Sequence, residues 1–325
     1  MPADEFDVIR SLFAPLATHA SARGLLDDVA VLEARGALVV TTDAIVEGVH
    51  FLTEDPIDAI AKKALRVNLS DLAAKGARPT GALLTLIWPD ARPAAEIAEF
   101  ARGLGEDLRR YDVALLGGDT TSTPGPLTVS VTAFGKPLGE RVPSRADAKP
   151  GEDIWVTGTI GDAWLGYQAL HGDWPEGEIM HHAAAIARYR LPAPRVELAQ
   201  TVARCAGAAM DISDGLAGDA AKLAAASGVA LFIEAEAVPL SNAAHAWRSA
   251  ASSYGRLFHW GDDYEILLTA GRERRAEIEA GGAAAGVQVT RVGVVEAGAG
   301  VRLVAGDGSL AVVGDPIGHA HKLGR

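Results

Sequence analysis

Hydrophobic and polar residues follow two periods along this chain, one typical of helices and one typical of strands. Apolar residues recur every three to four positions near the N-terminus, which predicts an amphipathic helix over Glu5–His19. The same period predicts helices over Asp58–Lys75, which Gly76 ends, and over Ala94–Tyr111. Short apolar or alternating runs predict strands at Val29–Glu33, Ala37–Thr42, Ala82–Trp88, Val113–Leu116 and Leu127–Gly135.

A segment rich in proline, glycine and charge, Pro137–Gly151, interrupts these patterns and predicts a domain boundary. We therefore expect domains at 1–148 and 149–325. In the second half the patterns predict strands at Asp153–Thr157, Val229–Ile233 and Tyr264–Thr269, helices from Asp162 and at His181–Arg190, Pro194–Cys205, Ala217–Ser227, Asn242–Ser252 and Arg272–Glu279, and a closing hairpin. Strands and helices alternate without a regular spacing, so the predicted class is mixed α/β.

Composition narrows the classes of function. A chain of 325 residues fits two domains, and 30 basic against 42 acidic residues give a net charge of −12. That charge argues against a nucleic-acid partner and against an anionic membrane surface. The single Cys205 excludes a disulfide framework within the chain and favours a reducing cytoplasm. We expect no signal peptide, because the first ten residues carry acids and no apolar core, and no membrane span.

Six aspartates stand at the edges of apolar segments, beside Gly, Ser, Thr or another Asp: Asp28, Asp43, Asp71, Asp119, Asp211 and Asp214. Taken singly, each fits the ordinary role of aspartate as a helix N-cap or turn former. Taken together they indicate a cation site, because clustered carboxylates repel one another unless cations lie between them. Oxygen ligands select Mg²⁺ or Mn²⁺ over zinc, so the prediction is magnesium.

The stretch Gly117-Gly118-Asp119 follows the apolar run Val113–Leu116 and predicts a strand that ends in a turn. Glycines in such a turn would let the backbone approach a bulky anion, and Asp119 would hold a hard cation beside it. Magnesium held by carboxylates completes its shell with substrate phosphates, so a nucleoside triphosphate is the expected partner. The sequence contains neither a P-loop motif nor the protein-kinase motifs, so phosphoryl transfer would need another scaffold.

Eight ordered motifs resemble those of the thiamine-monophosphate kinase family, over about residues 5 to 270. They are Leu26-Asp27-Asp28-Val29-Ala30, Thr41-Thr42-Asp43, Glu47-Gly48-Val49-His50-Phe51, Val67-Asn68-Leu69-Ser70-Asp71-Leu72-Ala73-Ala74, Gly117-Gly118-Asp119-Thr120-Thr121, Val156-Thr157-Gly158-Thr159, Asp211-Ile212-Ser213-Asp214-Gly215-Leu216 and Asp263-Tyr264-Glu265. The resemblance implies the aminoimidazole-ribonucleotide-synthetase-like fold. In that fold an α/β N-terminal domain pairs with a second copy to form a barrel across a homodimer, and an α+β C-terminal domain follows.

The resemblance also implies roles for individual residues. The residues implied to bind several Mg²⁺ ions are Asp28, Thr41, Thr42, Asp43, Asp71, Asp119, Asp211 and, near the nucleotide, Asp214. Those implied to contact ATP are Gly118, Asp119, Arg145 and Ser213, and those implied to contact thiamine monophosphate are His50 and Asp262. The carboxylates expected to serve the reaction itself are Asp43, Asp71, Asp119 and Asp211.

The implied reaction needs no general base, because the acceptor oxygen of a phosphate monoester is already anionic near neutral pH. Two anions must instead be held together while charge is neutralised in the transition state. Our hypothesis is direct in-line transfer of the γ-phosphoryl group of ATP without a phosphoenzyme.

Two stretches depart from the family pattern. The family's Gly-Gly-Glu-Asp-Tyr-Glu becomes Trp260-Gly261-Asp262-Asp263-Tyr264-Glu265, and the tail Asp315–His319 lacks the usual aromatic pair. Trp260 is a candidate stacking surface for the thiamine ring, although packing in the core is the more common role of a lone tryptophan.

Other readings remain open on the sequence alone. The main alternative is a purine-pathway synthetase of the same superfamily, which uses ATP to form an amidine or close a ring. A selenophosphate synthetase would need a reactive residue near the N-terminus, and a hydrogenase-maturation factor would need a C-terminal cysteine, whereas the only cysteine is Cys205. A non-catalytic nucleotide-binding or metal-binding protein is the alternative from another class.

Overall fold

The computed structural model describes residues 5–25, 36–172, 179–251 and 254–309. By packing, the chain divides into two compact units, Met1–Leu72 with Ala77–Pro137, and Ala73–Gly76 with Leu138–Arg325. Both units combine helices and strands, which confirms the mixed α/β class. Asp28, the strand predicted at Val29–Glu33 and the tail beyond residue 309 lie outside the described residues.

The described part of the first unit contains seven α-helices and β-strands: α1 (Glu5–Val8), β1 (Val39–Val46), α2 (Ile57–Ala74), β2 (Ala77–Pro89), α3 (Glu96–Arg110), β3 (Ala114–Thr123) and β4 (Thr128–Pro137). The predicted helix Glu5–His19 keeps α-helical geometry only to Val8 and continues as a π-helical turn, Ile9–Phe13, and a 3-10 turn, Ala14–Leu16. Pro15 lies in the 3-10 turn, where its missing N–H prevents a further α-helical turn.

The four strands of the first unit form one sheet in the order β1-β4-β2-β3. Strand β4 is antiparallel to β1 and β2, whereas β3 runs parallel to β2. Alternate residues of β4, including Val129, Val131 and Ala133, are buried, so one face of the sheet carries the core. Helix α2 packs on that face, where Leu72 contacts Gly135.

Strand β3 is longer than the apolar run predicts. It continues through the glycines and Asp119 to Thr123, in parallel register with β2 from Gly81 to Pro89. The prediction that the strand ends before Gly117 is therefore wrong. Glycine and aspartate have weak strand preferences, so this segment becomes a strand because it pairs with β2.

The second unit contains β5 (Asp153–Thr157), α4 (Asp162–His171), α5 (Ile179–Arg190), α6 (Ala199–Cys205), β6 (Ala209–Ile212), α7 (Leu216–Ser227), β7 (Ala230–Glu234), α8 (Asn242–Ala251), α9 (Gly255–His259), β8 (Glu265–Ala270), α10 (Arg275–Ala285), β9 (Val289–Glu296) and β10 (Gly300–Val304). Its sheet has the order β10-β7-β9-β5-β8-β6. The predicted closing hairpin is wrong, because β7 lies between β9 and β10, antiparallel to the first and parallel to the second.

Aliphatic and aromatic residues of this sheet and of α4, α7 and α9 form the main core of the second unit, with Ile154, Leu223, Leu257 and Leu267 fully buried. Cys205 belongs to a smaller cluster, and burial raises the pKa of its thiol to about 11. A thiol with that pKa is a poor nucleophile near neutral pH. Among the described helices, none has the length and hydropathy that crossing a bilayer requires.

Helices α2 and α3 are joined by a buried ion pair. Arg66 donates from Nε to Asp107 Oδ2 at 2.5 Å and from Nη2 to Oδ1 at 3.0 Å, and the two residues are 7% and 2% exposed. Because both charges are buried, removal of either one would leave the other without compensation and destabilise the fold.

We predict that Asp107→Ala lowers the free energy of unfolding by about 3–5 kcal/mol, because it leaves a buried guanidinium without its carboxylate. Glu106→Ala is the matched control, since the neighbouring Glu106 makes ion pairs with Lys62 and Arg102 at the surface. Chemical denaturation measures both, and an equal loss in the two variants would contradict the prediction.

Candidate active site

The Gly117-Gly118-Asp119 motif lies within strand β3, and Gly118 allows β3 to approach β2. A Cβ atom built on Gly118 would lie 1.7 Å from the carbonyl oxygen of Leu84, whereas one built on Gly117 would make an ordinary contact, at 3.4 Å, with Leu83. Gly118 is therefore required by the backbone packing itself. Asp119 follows it at an exposed position of the same strand.

Strand β1 and helix α2 bring two predicted metal ligands together. The Thr41 hydroxyl donates to Asp71 Oδ2 at 2.5 Å. Asp43 lies two residues further along β1, so it shares the strand face of Thr41. Thr42 points to the other side, where its hydroxyl donates to the carbonyl of Val131 at 3.2 Å. The structure thus joins Thr41 to Asp71 and places Asp43 on the same strand face as Thr41, whereas Thr42 points to the other face.

Two buried polar side chains precede Asp71 in the same turn of α2. Asn68 and Ser70 are both 0% exposed. Asn68 Nδ2 donates to the carbonyl of Ala64 at 3.0 Å, but Asn68 Oδ1 and Ser70 Oγ have no hydrogen-bond partner among the described residues. Buried polar atoms without partners are rare in folded proteins. A binding site beside Asp71, in which a ligand supplies the missing polar partners, would explain these two atoms.

His50 lies in a turn after β1 that fixes both its ring and its backbone. Its Nδ1 accepts the backbone N–H of Val46 at 3.0 Å, so the neutral ring carries its proton on Nε2. The ammonium of Lys63, 1% exposed, donates to the His50 carbonyl at 2.7 Å. The ring and the backbone of His50 are therefore both held in fixed positions.

Glu47 also fixes this turn. Its Oε2 accepts the backbone N–H of Leu127 at 3.1 Å, and its Oε1 pairs with Arg92 at 3.1 Å. Glu47 belongs to one of the family-like motifs, but the motif does not indicate this bracing role, and no motif includes Lys63. The polar residue at position 63, between apolar positions of α2, was the available signal.

In the second unit, β6 carries Asp211, which is 7% exposed, and leads into the turn Ser213–Gly215. The fully buried Asp219 braces this turn by accepting the backbone N–H groups of Ser213 at 2.9 Å and Asp214 at 2.8 Å through Oδ2. Burial raises the pKa of Asp219, while its hydrogen bond with Lys222 opposes that rise. The sequence reasoning missed Asp219 and Lys222, which look like ordinary polar positions of α7.

Lys222 bonds Asp219 Oδ1 at 2.8 Å and also Asp214 Oδ2. Burial alone would lower the pKa of Lys222, but the two carboxylates raise it above the usual value. The described structure therefore places a lysine ammonium at Asp214, one of the residues that the family resemblance implies for metal.

The segment 260–264 packs closely against the Ser213–Gly215 turn. The backbone N–H of Asp262 donates to the carbonyl of Ser213 at 2.9 Å, and that of Tyr264 donates to Ile212 at 2.8 Å. A Cβ atom on Gly261 would lie 2.0 Å from the Ser213 carbonyl oxygen. Asp262 adopts a left-handed φ of +70°, which is uncommon for a residue other than glycine. The structure thus brings the predicted substrate carboxylate beside the predicted ATP contact.

The two carboxylates that follow Asp262 are structural. Asp263, 1% exposed, accepts the backbone N–H of Gly161 at 2.9 Å at the start of α4, and burial raises the pKa of Asp263 well above its usual range. Glu265, 0% exposed, accepts from Arg188 at 2.7 Å and from Arg195 Nε at 2.6 Å. The glycine-rich turn before α4 is therefore filled by a carboxylate of the chain itself.

Two further candidates have a different setting. Arg145 is exposed, and its carbonyl accepts from Ser227 Oγ at 2.8 Å, so its backbone is anchored to the end of α7. Trp260 is half-buried against the main core, with its ring centroid 4.9 Å from that of Tyr167. Packing accounts for Trp260 without a ligand.

The donor set fits magnesium in its chemistry, since it consists of carboxylate and hydroxyl oxygens. Within the described residues, however, no three acidic, histidine or cysteine side chains are grouped closely enough to hold an ion.

We predict that Gly118→Ala destabilises the protein by about 3 kcal/mol or more, because the added Cβ overlaps the Leu84 carbonyl. Gly117→Ala should change the unfolding free energy by less than about 1 kcal/mol. Thermal and urea denaturation of the two adjacent variants provide the measurement. Equal stability of the two variants would show that β2 and β3 do not approach as described.

Three comparisons place the chain among known proteins. Family profiles described as "AIR synthase related protein, N-terminal domain" and "AIR synthase related protein, C-terminal domain" match residues 26–136 and 149–306. A thiamine-monophosphate kinase of Caulobacter vibrioides is 46% identical over 309 residues, which are 92% of this chain and 86% of that protein.

Two solved structures extend the likeness to the fold. The crystal structure of thiamine-monophosphate kinase from Stenotrophomonas maltophilia is 37% identical, with a TM-score of 0.79, and the match covers 88% of this chain and 91% of that one. A structure described as AaThiL complexed with AMPPCP and TMP is 32% identical, with a TM-score of 0.74 and 94% coverage of both chains. The chain therefore belongs to the thiamine-monophosphate kinase family.

Proposed function

We propose that this protein transfers the γ-phosphoryl group of ATP to thiamine monophosphate, giving thiamine diphosphate and ADP. The observation that carries the proposal is the 46% identity, over nearly the whole chain, to a thiamine-monophosphate kinase. The complex of a 32% identical relative with AMPPCP, an ATP analogue, and TMP supports the same pair of substrates. The oxygen-rich groups at Thr41, Asp71 and the Ser213 turn are the donors that such a reaction needs.

Magnesium is part of the proposal. Its ligands would be drawn from Asp28, Thr41, Thr42, Asp43, Asp71, Asp119, Asp211 and Asp214. Bound Mg²⁺ supplies neutralisation of the charge that develops on the phosphoryl oxygens. The chain's own part is to hold the carboxylates in place, and the half-buried Thr41–Asp71 contact and the bracing of the Ser213 turn by Asp219 both do so.

The remaining residues orient the two substrates. Gly118, Arg145 and Ser213 are the proposed ATP contacts, and the guanidinium of Arg145 suits a phosphate. The Nε2–H of His50 and the carboxylate of Asp262 are the proposed contacts of thiamine monophosphate. No side chain has to accept a proton, because the attacking phosphate oxygen is anionic, so rate enhancement comes from proximity and electrostatics.

We also propose a homodimer, because one copy of the first unit separates two of its key carboxylates. Asp43 lies on β1 and Asp119 on β3, with β4 and β2 between them. Three strand spacings correspond to about 14 Å, whereas oxygens that share one Mg²⁺ lie within about 4 Å of each other. A second copy that sets its β3 beside β1 would bring the two carboxylates together.

Exposed apolar residues on β1 support this arrangement. Val40 is 53% exposed, and Leu38, just before the strand, is 41% exposed. Within the described sheet β1 pairs only with β4, so its other edge is available for pairing. An interface between two copies would bury the exposed apolar residues and pair the open edge of β1.

The single, buried Cys205 supports a cytoplasmic location as a further part of the proposal, since thiols stay reduced there.

We predict that Val40→Lys shifts the protein from dimer towards monomer, because a charge on β1 cannot be buried against a second sheet. Val49→Lys is the control, since Val49 is 55% exposed but lies in the turn after β1. Analytical ultracentrifugation across a concentration series measures the effect. A wild-type chain that stays monomeric at every concentration would contradict the homodimer.

The reaction itself is tested with purified protein, ATP and Mg²⁺. Adding thiamine monophosphate should release ADP and yield thiamine diphosphate in equal amounts, as measured by chromatography. Direct transfer predicts no isotopic exchange between ADP and ATP without the acceptor. Turnover with a purine-pathway amide in place of thiamine monophosphate would reverse the assignment to the alternative synthetase.

We predict that Asp119→Asn lowers kcat by at least about 100-fold with little change in stability, because Asp119 is exposed and its charge serves the ions. Asp112→Asn is the control, since Asp112 is exposed in the turn before β3 and has a left-handed φ of +53° that asparagine adopts easily. Steady-state kinetics gives kcat, and thermal unfolding gives the stability of both variants. Near-normal turnover of Asp119→Asn would show that this residue has no role in the mechanism.

A further inference from the structure

The turn at Ser213–Gly215 already contains a cation. Lys222 projects from α7 and bonds both Asp214 and Asp219, the second at 2.8 Å. The Lys222 side chain is 38% exposed and that of Asp214 is 29% exposed, so solvent and solutes reach this pair. The ammonium therefore occupies the carboxylate that a divalent ion would use.

Asp219 holds the lysine in this place. Asp219 is 0% exposed, and its Oδ2 is taken by the backbone N–H groups of Ser213 and Asp214. Its Oδ1 is then directed to Lys222. Because the same carboxylate braces the turn and anchors the ammonium, Lys222 is part of the folded turn.

A divalent ion and an ammonium cannot share Asp214 without strong repulsion. Lys222 bonds Asp214 Oδ2, and an ion bound to the same carboxylate would place two like charges only a few ångströms apart. A complex of Mg²⁺ with a nucleoside triphosphate differs from the free ion, because it carries a cation for Asp214 and anionic oxygens for Lys222. Lys222 then keeps its bond to Asp219 and passes only from Asp214 to the phosphates, so every charge retains a partner.

We propose that Lys222 is the resident cation of Asp214, and that Asp214 takes up a divalent ion only together with nucleotide phosphates, which receive the displaced ammonium. This proposal rests on the magnesium requirement of the proposed function. It makes Lys222 a residue that sets the order in which metal and nucleotide bind. The free ion cannot occupy Asp214 first.

Mn²⁺ binding, counted per chain by electron paramagnetic resonance, tests the proposal in the full-length protein with and without AMPPCP. Without AMPPCP, Asp214→Asn should bind as many Mn²⁺ ions as the wild type. With AMPPCP, the same variant should bind one fewer. Lys222→Met should bind one additional ion without AMPPCP, or bind it at least tenfold more tightly, and Lys222→Arg should behave as the wild type because it keeps the charge.

The double variant Asp214→Asn with Lys222→Met should lose the additional ion, which assigns it to Asp214. Loss of an ion from Asp214→Asn in the absence of AMPPCP would overturn the proposal, as would identical binding by Lys222→Met and the wild type. If Lys222→Met does not fold, the comparison of Asp214→Asn with the wild type carries the test. Absence of Mn²⁺ binding by every variant, with and without AMPPCP, would instead contradict the magnesium requirement itself.

Discussion

A carboxylate that loses its contact with water must gain hydrogen-bond donors or give up its charge, and this constraint organises both units. Five carboxylates, those of Asp107, Asp153, Asp219, Asp263 and Glu265, are at most 2% exposed. Each has its own donors: arginines for Asp107, Asp153 and Glu265, backbone N–H groups for Asp263, and both backbone and lysine for Asp219. These five hold helices, strands and turns in place.

The carboxylates assigned to the reaction have a different environment. Asp43 and Asp119 are exposed, and Asp71, Asp214 and Asp262 are half-buried, so all five keep contact with solvent. Their exposure leaves room for a cation to approach. The buried carboxylates hold the scaffold together, whereas the accessible ones can be reached by ligands. Asp211 on β6 is 7% exposed, so its exposure is intermediate between that of the buried and the accessible carboxylates.

Hydrophobic periodicity predicted the elements whose own residues decide their structure. Helices α2 and α3 and strand β4 appear within a few residues of their predicted bounds, because apolar stripes and alternation are local properties. Strand β3 could not be predicted beyond Leu116, since Gly118 and Asp119 become strand only through pairing with β2. The terminal hairpin failed for a similar reason: the insertion of β7 between β9 and β10 is a long-range event.

The candidate site was predictable only as a set of residue types. The motifs include Asp71 and Ser213, but they do not indicate which residues support these two through hydrogen bonds. Asp219 and Lys222, three positions apart on a helix, look in sequence like a solvated surface pair. Only the fold shows that one of them is fully buried and braces the turn. Supporting residues of this kind carry no local signal, because their role depends on the segment packed against them.

The placement of Asp119 inside a strand has a consequence for how the chain tolerates insertions. Side chains alternate between the two faces of a sheet, so one extra residue in β3 before Asp119 would shift the register with β2 and send the carboxylate to the opposite face. A loop in the same position would absorb such an insertion with little effect. The number of residues that precede Asp119 in β3 therefore determines which face of the sheet its carboxylate occupies. We expect homologues to carry insertions and deletions after Thr123 rather than within the strand.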